Sequence, residues 1–296
     1  MFSADELEKV RKAGRVAAEA RDLGLSMVDV GVKYLDVANE VESLIKSKGC
    51  GLAFPCNISV NEIAAHYTPS PKDKLAFEPG DVVKIDCGAH VDGFVGDTAG
   101  TVEVSSNTYA PLIKAADDAR SVAMEAIADG VLLRDVGRAI QMAIESAGFK
   151  PVKNLTGHQI KPYNLHAGLS VVNYDDGSNA AFEEGMLIAC EPFVTNGAGV
   201  VKGGRPGNIY KMERERKLPD PSMTQFMEYV RDEFKGFPFC PRSCDWPDAE
   251  RRTKYLLRHG VVSSYAILVE AKRGCVAQSE HTVVVGKDGC EITTLP

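Results

Sequence analysis

The sequence predicts an α+β fold built twice around a pseudo-twofold axis. Two observations carry that expectation. Phe77-Glu78-Pro79-Gly80 and Phe182-Glu183-Glu184-Gly185 recur at an offset of 105, and six residues after each glycine stands a carboxylate, Asp86 or Glu191. The helical segments before them match at an offset of 99: Gly31-Val32 with Gly130-Val131, Asp36-Val37 with Asp135-Val136, Val41 with Ile140, Ile45 with Ile144, Ser47 with Ser146 and Gly49 with Gly148. Chance supplies one such match; the whole set marks a duplicated unit whose carboxylates converge on one central site.

The chain has 296 residues, 44% of them hydrophobic, enough for a substantial core. A net charge of −7 argues against nucleic acid as a partner. Of the eight cysteines only Cys240 and Cys244 are close, and their C-x3-C has no partner pair, so no zinc knuckle is expected. Scattered cysteines suit a reducing cytosol. The N-terminus reads as the start of an amphipathic helix without a secretory apolar region. No stretch approaches the roughly 20 apolar residues of a membrane span.

In chain order, Asp5 to Leu23 is predicted helical from Leu7, Val10, Ala13, Ala17 and Ala20, with Ser3 and Glu6 as a capping box. A second helix is expected over Gly31 to Ser47, stopped at Gly49. Phe54-Pro55 and Ile58 to Val60 read as irregular or short extended pieces. The loop from Pro69 to Gly80 leads into a β-hairpin over Lys84 to Val102, with Asp92-Gly93 as the turn signal. Asn107 to Ile127 and Leu133 to Ala147 are the helices of the second half. Gly157 to His166 reads as irregular, and Met186 to Ala189 as a strand closed by Glu191.

Residues 203–260 break the pattern. GGRPGNIYKMERERKLPDP is polar and turn-rich, and Met223 to Phe234 and Ala249 to Leu257 are predicted helices. The segment holds 12 basic and 9 acidic residues, +3 against −10 for the remainder. We read it as a helical insert, with 1–202 and 261–296 forming the main domain; an ordinary surface excursion is the other reading. Tyr265 to Val269 and His281 to Val285 return to strand character.

The hairpin poses the chemical question. Asp86 and Asp97 are 11 residues apart, and a turn centred near Val91 and Asp92 sets them opposite each other. Opposed carboxylates in an apolar strand repel, and a divalent cation between them resolves the conflict; two surface aspartates on a solvated edge are the alternative. Glu191 and Glu280 also border apolar strands, where carboxylates are seldom buried unless paired or metal-bound. With His158 they make four carboxylates and one imidazole. That set suits two divalent metals with a bridging water or hydroxide, drawn from Mn, Co, Fe and Zn.

The blocks AAHYTPSP, KIDCGAHVDGFVGDTAGTV, TGHQIKPYNLHAG, MLIACEPF and VAQSEHTVVV, in order over nearly the whole chain, resemble those of methionine aminopeptidases. The resemblance implies the two-fold "pita-bread" architecture shared with prolidase and creatinase. It implies that Asp86 binds one metal, that Asp97 and Glu280 bridge both, and that His158 and Glu191 hold the other. His66 and His166 are implied to hydrogen-bond the substrate, with Glu191 as proton shuttle. Phe54, Leu165, Phe193 and Tyr265 are the implied walls of a methionine pocket, with plain core packing as their other reading. The long stretch between Glu191 and Glu280 is similar to the helical insert of the type II subfamily. Because the chain begins almost at the catalytic domain, it resembles the archaeal form. Nascent polypeptides beginning with Met are the implied substrates, the ribosome a candidate contact, and a cytoplasmic monomer the expected state. Ser279 departs from the type II pattern, which carries a large aromatic before the ligand. Two rivals use the same fold. An Xaa-Pro dipeptidase or aminopeptidase P would keep the five ligands, whereas a proliferation-associated binding protein would have lost them.

Overall fold

The computed structural model describes residues 1–296. The first half comprises α1 (Ala4–Ser26), α2 (Tyr34–Ser47), β1 (Gly51–Val60), β2 (Ile63–Ala65), β3 (Val82–Val91) and β4 (Phe94–Glu103). The second comprises α3 (Ala110–Ala126), α4 (Leu133–Ser146), β5 (Lys150–Pro151), β6 (Thr156–Ile160), β7 (Ser170–Val172), β8 (Leu187–Cys190) and β9 (Phe193–Thr195). β10 (Val201–Met212) leads into α5 (Pro221–Phe234), a single 3-10 turn at Pro241–Ser243, and α6 (Ala249–Arg258). β11 (Val262–Glu270), β12 (Val276–Gln278), β13 (His281–Val285) and β14 (Cys290–Ile292) complete the chain.

The repeat survives down to single hydrogen bonds. In the first half Gly31 N–H donates to the Phe77 carbonyl, Phe77 N–H to Val32 and Tyr34 N–H to Leu75. In the second half Gly130 donates to Phe182, Phe182 to Val131 and Leu133 to Ala180. These bonds explain why α2 starts at Tyr34 rather than at Gly31. Gly31 stands at φ +80°, which favours glycine, and Lys33 forms an isolated bridge with Ala76 before the helix begins. At α1 the expected capping box is present: Ser3 Oγ accepts from Glu6 N–H, and the Glu6 carboxylate accepts from Ser3 N–H.

Each half packs its two helices on its own sheet. The first sheet has the order β1-β3-β4 and the second β14-β13-β8-β6-β7, so β1, β3 and β4 correspond to β6, β8 and β13. Val37, Val41 and Ile45 of α2 are buried against Ile58 and Ile85. Their repeat mates Val136, Ile140 and Ile144 of α4 are buried against Ile188 and Val283. Burying one such branched side chain contributes roughly 1.5–3 kcal/mol, so the matched stripes hold both helix pairs in place. A three-stranded sheet, β10-β11-β2, ties β2 of the first half to later strands, and another, β12-β9-β5, pairs β9 of the second half with β5 and β12.

Three local expectations are corrected. Phe54-Pro55 and Ile58 to Val60 are one continuous ten-residue strand, β1. It was hidden because Pro55 cannot donate to a ladder, and the register slips on both sides of Phe54. Gly157 to His166 is not wholly irregular, since β6 carries His158. GGRPGNIYKM, expected to be turn-rich, is strand β10, paired with β11 from Val201↔Glu270 to Met212↔Val262. Its glycines and Pro206 mask strand propensity, and its ladder partners lie 50 to 69 residues away, from Met212↔Val262 to Val201↔Glu270. The expected helices over 223–234 and 249–257 are present as α5 and α6, and they close a separate cluster around Met223, Phe226, Val230 and Leu256.

Candidate metal centre and substrate cleft

β3 and β4 meet at a two-residue turn. Val91 pairs with Phe94, and Asp92 and Gly93 stand at φ +50° and +86°. The turn therefore centres one residue later than expected, and Asp86 and Asp97 are not opposite each other. Asp86 pairs with Ala99 and Asp97 with Gly88. The two carboxylates are diagonal neighbours on one face of the hairpin, because side chains two positions apart along a strand share a face.

The second half repeats this ladder with one change. β8 and β13 pair Cys190 with His281, and β9 and β12 pair Phe193 with Gln278, in one continuous register that sets Glu191 opposite Glu280. Glu191 therefore takes the place of Asp86, as the repeat predicts. Gln278 takes the place of Asp97, and Glu280 the place of Ala99. The duplication is exact for one carboxylate pair and displaced by two residues for the other. A displacement of two keeps Glu280 on the site face; a displacement of one would have turned it away.

Gly157 admits the fifth group. A Cβ there would lie 2.4 Å from the Ala189 carbonyl oxygen, so only glycine lets β6 pass this close to β8. His158 follows, and its Nε2 stands 3.6 Å from Asp97 Oδ2 and 3.6 Å from Glu191 Oε1. Ligand atoms of Asp97, His158 and Glu280 all lie within 4.8 Å of one another. Asp97 and Glu280 are 3% and 1% exposed. Burial is the main reason that all four carboxyls are pushed up, Asp86 to about 7, with mutual repulsion adding to the shift for Asp97, Glu191 and Glu280. Burial, with His166 beside it, holds His158 down at about 3 and hence neutral. Asp86 Oδ1 and Asp97 Oδ1 have no hydrogen-bond partner. Converging buried carboxylates, two of whose oxygens have no donor, next to a neutral imidazole, fit divalent cations with mostly oxygen ligands.

Above these residues lies a cavity of about 220 Å³. His66, His166, Phe54, Leu165, Phe193 and Tyr265 all line it, together with the five candidate ligands. His66 follows β2 at φ +66°, an uncommon backbone for a residue with a Cβ. Its Nδ1 is 3.3 Å from the Ala266 carbonyl, which can only accept. Nδ1 therefore carries the proton, and Nε2 is left free. The ring meets Tyr265 edge-on at 5.2 Å. His166 stands at the rim, its ring 4.4 Å from that of His158. The remaining histidines face elsewhere: His90 stacks on Phe237, His259 ends α6 and His281 bonds Thr294 Oγ1.

The sequence reading missed several participants. Asn57 of β1, Ala65 of β2, Asn154 to Thr156, Ile209 of β10 and Pro238 also line the cavity. Gln278 lies beneath it, with Nε2 3.5 Å from Asp86 Oδ2, 3.2 Å from Glu191 Oε2 and 3.5 Å from Glu280 Oε2. The signal for Gln278 was available, since it stands two residues before Glu280 on the same strand face. Gln278→Ala is expected to weaken metal affinity by about 10- to 100-fold, the usual cost of losing a hydrogen-bond partner of ligands. Metal titration by calorimetry reads it, and an unchanged affinity would refute the role. Ser279 points the other way and donates to Asp117 Oδ1 of α3 at 2.6 Å, which accounts for a small polar residue there.

A duplicated α+β scaffold with buried carboxylates and an imidazole at the floor of an apolar cleft defines a metal-dependent hydrolase. The chain belongs to metallopeptidase family M24, matching it over residues 8–287. It is 42% identical over 288 residues to a methionine aminopeptidase of Methanocaldococcus jannaschii, covering 97% of this chain and 98% of that one. It is 41% identical over 291 residues to a methionine aminopeptidase of Archaeoglobus fulgidus, again covering 97% and 98%. Among solved structures the fold resembles a thermophilic Arx1, with a TM-score of 0.87 at 18% identity, covering 100% and 92%. It also resembles the Thermotoga maritima methionine aminopeptidase, with a TM-score of 0.74 at 24% identity, covering 100% and 98%. Prolidase from Pyrococcus furiosus shares the fold too, with a TM-score of 0.66 at 18% identity, covering 100% of this chain and 65% of that one.

Proposed function

We propose a division of labour for an enzyme that removes N-terminal methionine by hydrolysing the first peptide bond. The activity rests on relatives named methionine aminopeptidase at 42% and 41% identity over nearly full length, and on a set of five candidate ligands around one cavity. Asp86, Asp97, His158, Glu191 and Glu280 would hold the divalent metals. When bound, these polarise the scissile carbonyl and acidify water toward neutrality. Glu191 accepts the water proton and passes it to the leaving amine. His66, with Nε2 free and the ring held by Ala266 and Tyr265, hydrogen-bonds the scissile amide. His166 at the rim bonds the substrate backbone. Phe54, Leu165, Phe193 and Tyr265 give the methionine side chain a dry, polarisable wall.

We further propose that residues 203–260 are an insert upon the duplicated core, supported by their own cluster of buried side chains. Nascent chains as substrates, contact with the ribosome, a cytoplasmic site and a monomeric state belong to the same reading. Buried, unbridged cysteines suit a reducing compartment, and no helix is long and apolar enough to cross a membrane. The test is turnover of Met-Ala-Ser against an Xaa-Pro peptide, with metal counted alongside. Cleavage of the methionyl peptide is expected, and exclusive Xaa-Pro cleavage would overturn the proposal.

A further inference from the structure

A second buried charge cluster lies outside the cavity. Arg242 of the 3-10 turn and Glu42 of α2 have side chains only 8% and 6% exposed. The Arg242 guanidinium donates to Glu42 Oε1, and from its other arm to the Pro69 carbonyl at 2.5 Å and Thr68 Oγ1 at 3.2 Å. Glu42 Oε1 also accepts Cys56 N–H at 3.0 Å, and Ser243 Oγ lies 3.4 Å from Oε2. Cys56 sits inside the bulge of β1 between Phe54 and Asn57, both cavity residues. Thr68 Oγ1 in turn donates to the Cys56 carbonyl at 2.7 Å, and Ile58 N–H to the Tyr67 carbonyl at 2.7 Å. Asn208 of β10 adds a bond to the Thr68 carbonyl at 3.2 Å.

The bonds from Arg242, Thr68 Oγ1, Ile58 and Asn208 meet at residues 67–69, immediately after His66, and Glu42 ties Arg242 to Cys56. His66 occupies a left-handed backbone conformation that the chain would not hold unaided. We propose that Arg242 and Glu42 form a clamp through which the helical insert fixes the loop behind His66, making both of them positioning residues for cleavage. A guanidinium suits that task because its planar fork, one arm on Glu42 and the other on Pro69 and Thr68, fixes direction as well as distance. The clamp also satisfies the bulge N–H of Cys56 that a regular β1–β3 ladder would have used. The insert thus acts on the reaction without touching substrate through this pair.

The inference rests on the reading of His66 given above. Arg242→Met is expected to lower kcat for Met-Ala-Ser by about 10- to 100-fold, the cost of a misplaced group, with KM and bound metal unchanged. The His66 ring resonances of the metal-free protein should broaden or move in the same variant. A buried ion pair can be replaced by apolar residues without loss of stability. The double variant Glu42→Leu/Arg242→Met is therefore expected to regain the parental melting temperature but not the parental kcat. Recovery of both, or a parental kcat in Arg242→Met, overturns the clamp. Should Arg242→Met fail to fold, Arg242→Lys keeps the charge without the fork; a reduced kcat supports the clamp and a parental one overturns it. A His66→Ala variant separates the two levels. If it retains full kcat, the reading of His66 falls and the clamp with it; if it is impaired while Arg242→Met is not, the clamp alone falls.

Discussion

Glu191→Gln is expected to lower kcat on Met-Ala-Ser by about 10²- to 10⁴-fold at equal metal loading, the range for losing a positioned acid–base group. The argument is geometric first. Glu191 closes β8, with Oε1 3.6 Å from His158 Nε2 and Oε2 3.2 Å from Gln278 Nε2, so one oxygen faces the imidazole and the other a donor beneath the site. Glutamine keeps the shape and one acceptor but cannot take a proton. In the metal-free protein burial, then Asp97, then Asp86 drive this carboxyl up; bound cations oppose that shift, so the shuttle rests on the geometry. Asp86, its mate in the repeat, pairs with Ala99 where Glu191 faces Glu280. The two halves therefore give equivalent carboxylates different surroundings, and only one borders His158. Single-turnover rates with metal analysis of the same sample measure the effect. A loss below about tenfold would assign Glu191 to ligation alone.

Metal removal should destabilise the protein by an amount that grows with pH. Asp86, Asp97, Glu191 and Glu280 have folded-state affinities for protons above those of free carboxylates. Between about pH 4, where unfolded carboxylates titrate, and the raised folded values, the metal-free native state binds more protons than the unfolded chain. Its carboxylate contribution to stability therefore falls as pH rises through that window, which for Asp86 reaches about 7. Cations bind the deprotonated set, so their affinity rises over the same interval. His158, held near 3, is already neutral there and needs no deprotonation. At about a hundredfold excess over Kd, ligand binding adds roughly 2.7 kcal/mol. For a chain of this size that is a melting-temperature gap on the order of 5–10 °C between metal-loaded and chelated protein. Scanning calorimetry from pH 5 to 8 should show the gap widening; a flat or narrowing gap would refute a site built from these carboxylates.

Legibility in the sequence followed the range of the interactions. Helices α1, α3 and α4 were read from apolar spacing within a few turns, and the capping box at Ser3 from a four-residue pattern. β1 and β10 were not. A bulge around Pro55 and glycines at 203–204 remove the alternation that marks a strand, and the ladder partners that stabilise them are distant in the chain. His158 read as a loop residue because β6 is short and its identity as strand comes from β8. Gln278 was passed over because a neutral amide carries no charge signal, although its three carboxylate neighbours make it central.

By itself, then, the sequence determined the duplication, the position of Asp86 and Glu191 within it, and the types of group that could bind metal. Those properties reside in local periodicity and in residue chemistry, which are present in the linear chain. The tertiary structure decided the rest. It set Asp86 and Asp97 diagonally rather than face to face, displaced Glu280 by two positions from the symmetric place, and brought Arg242 of the 3-10 turn onto Glu42 and the loop behind His66. Each depends on ladder register or on contact between distant segments. Register is fixed by turn geometry and by which face is buried, and neither can be read from one strand alone.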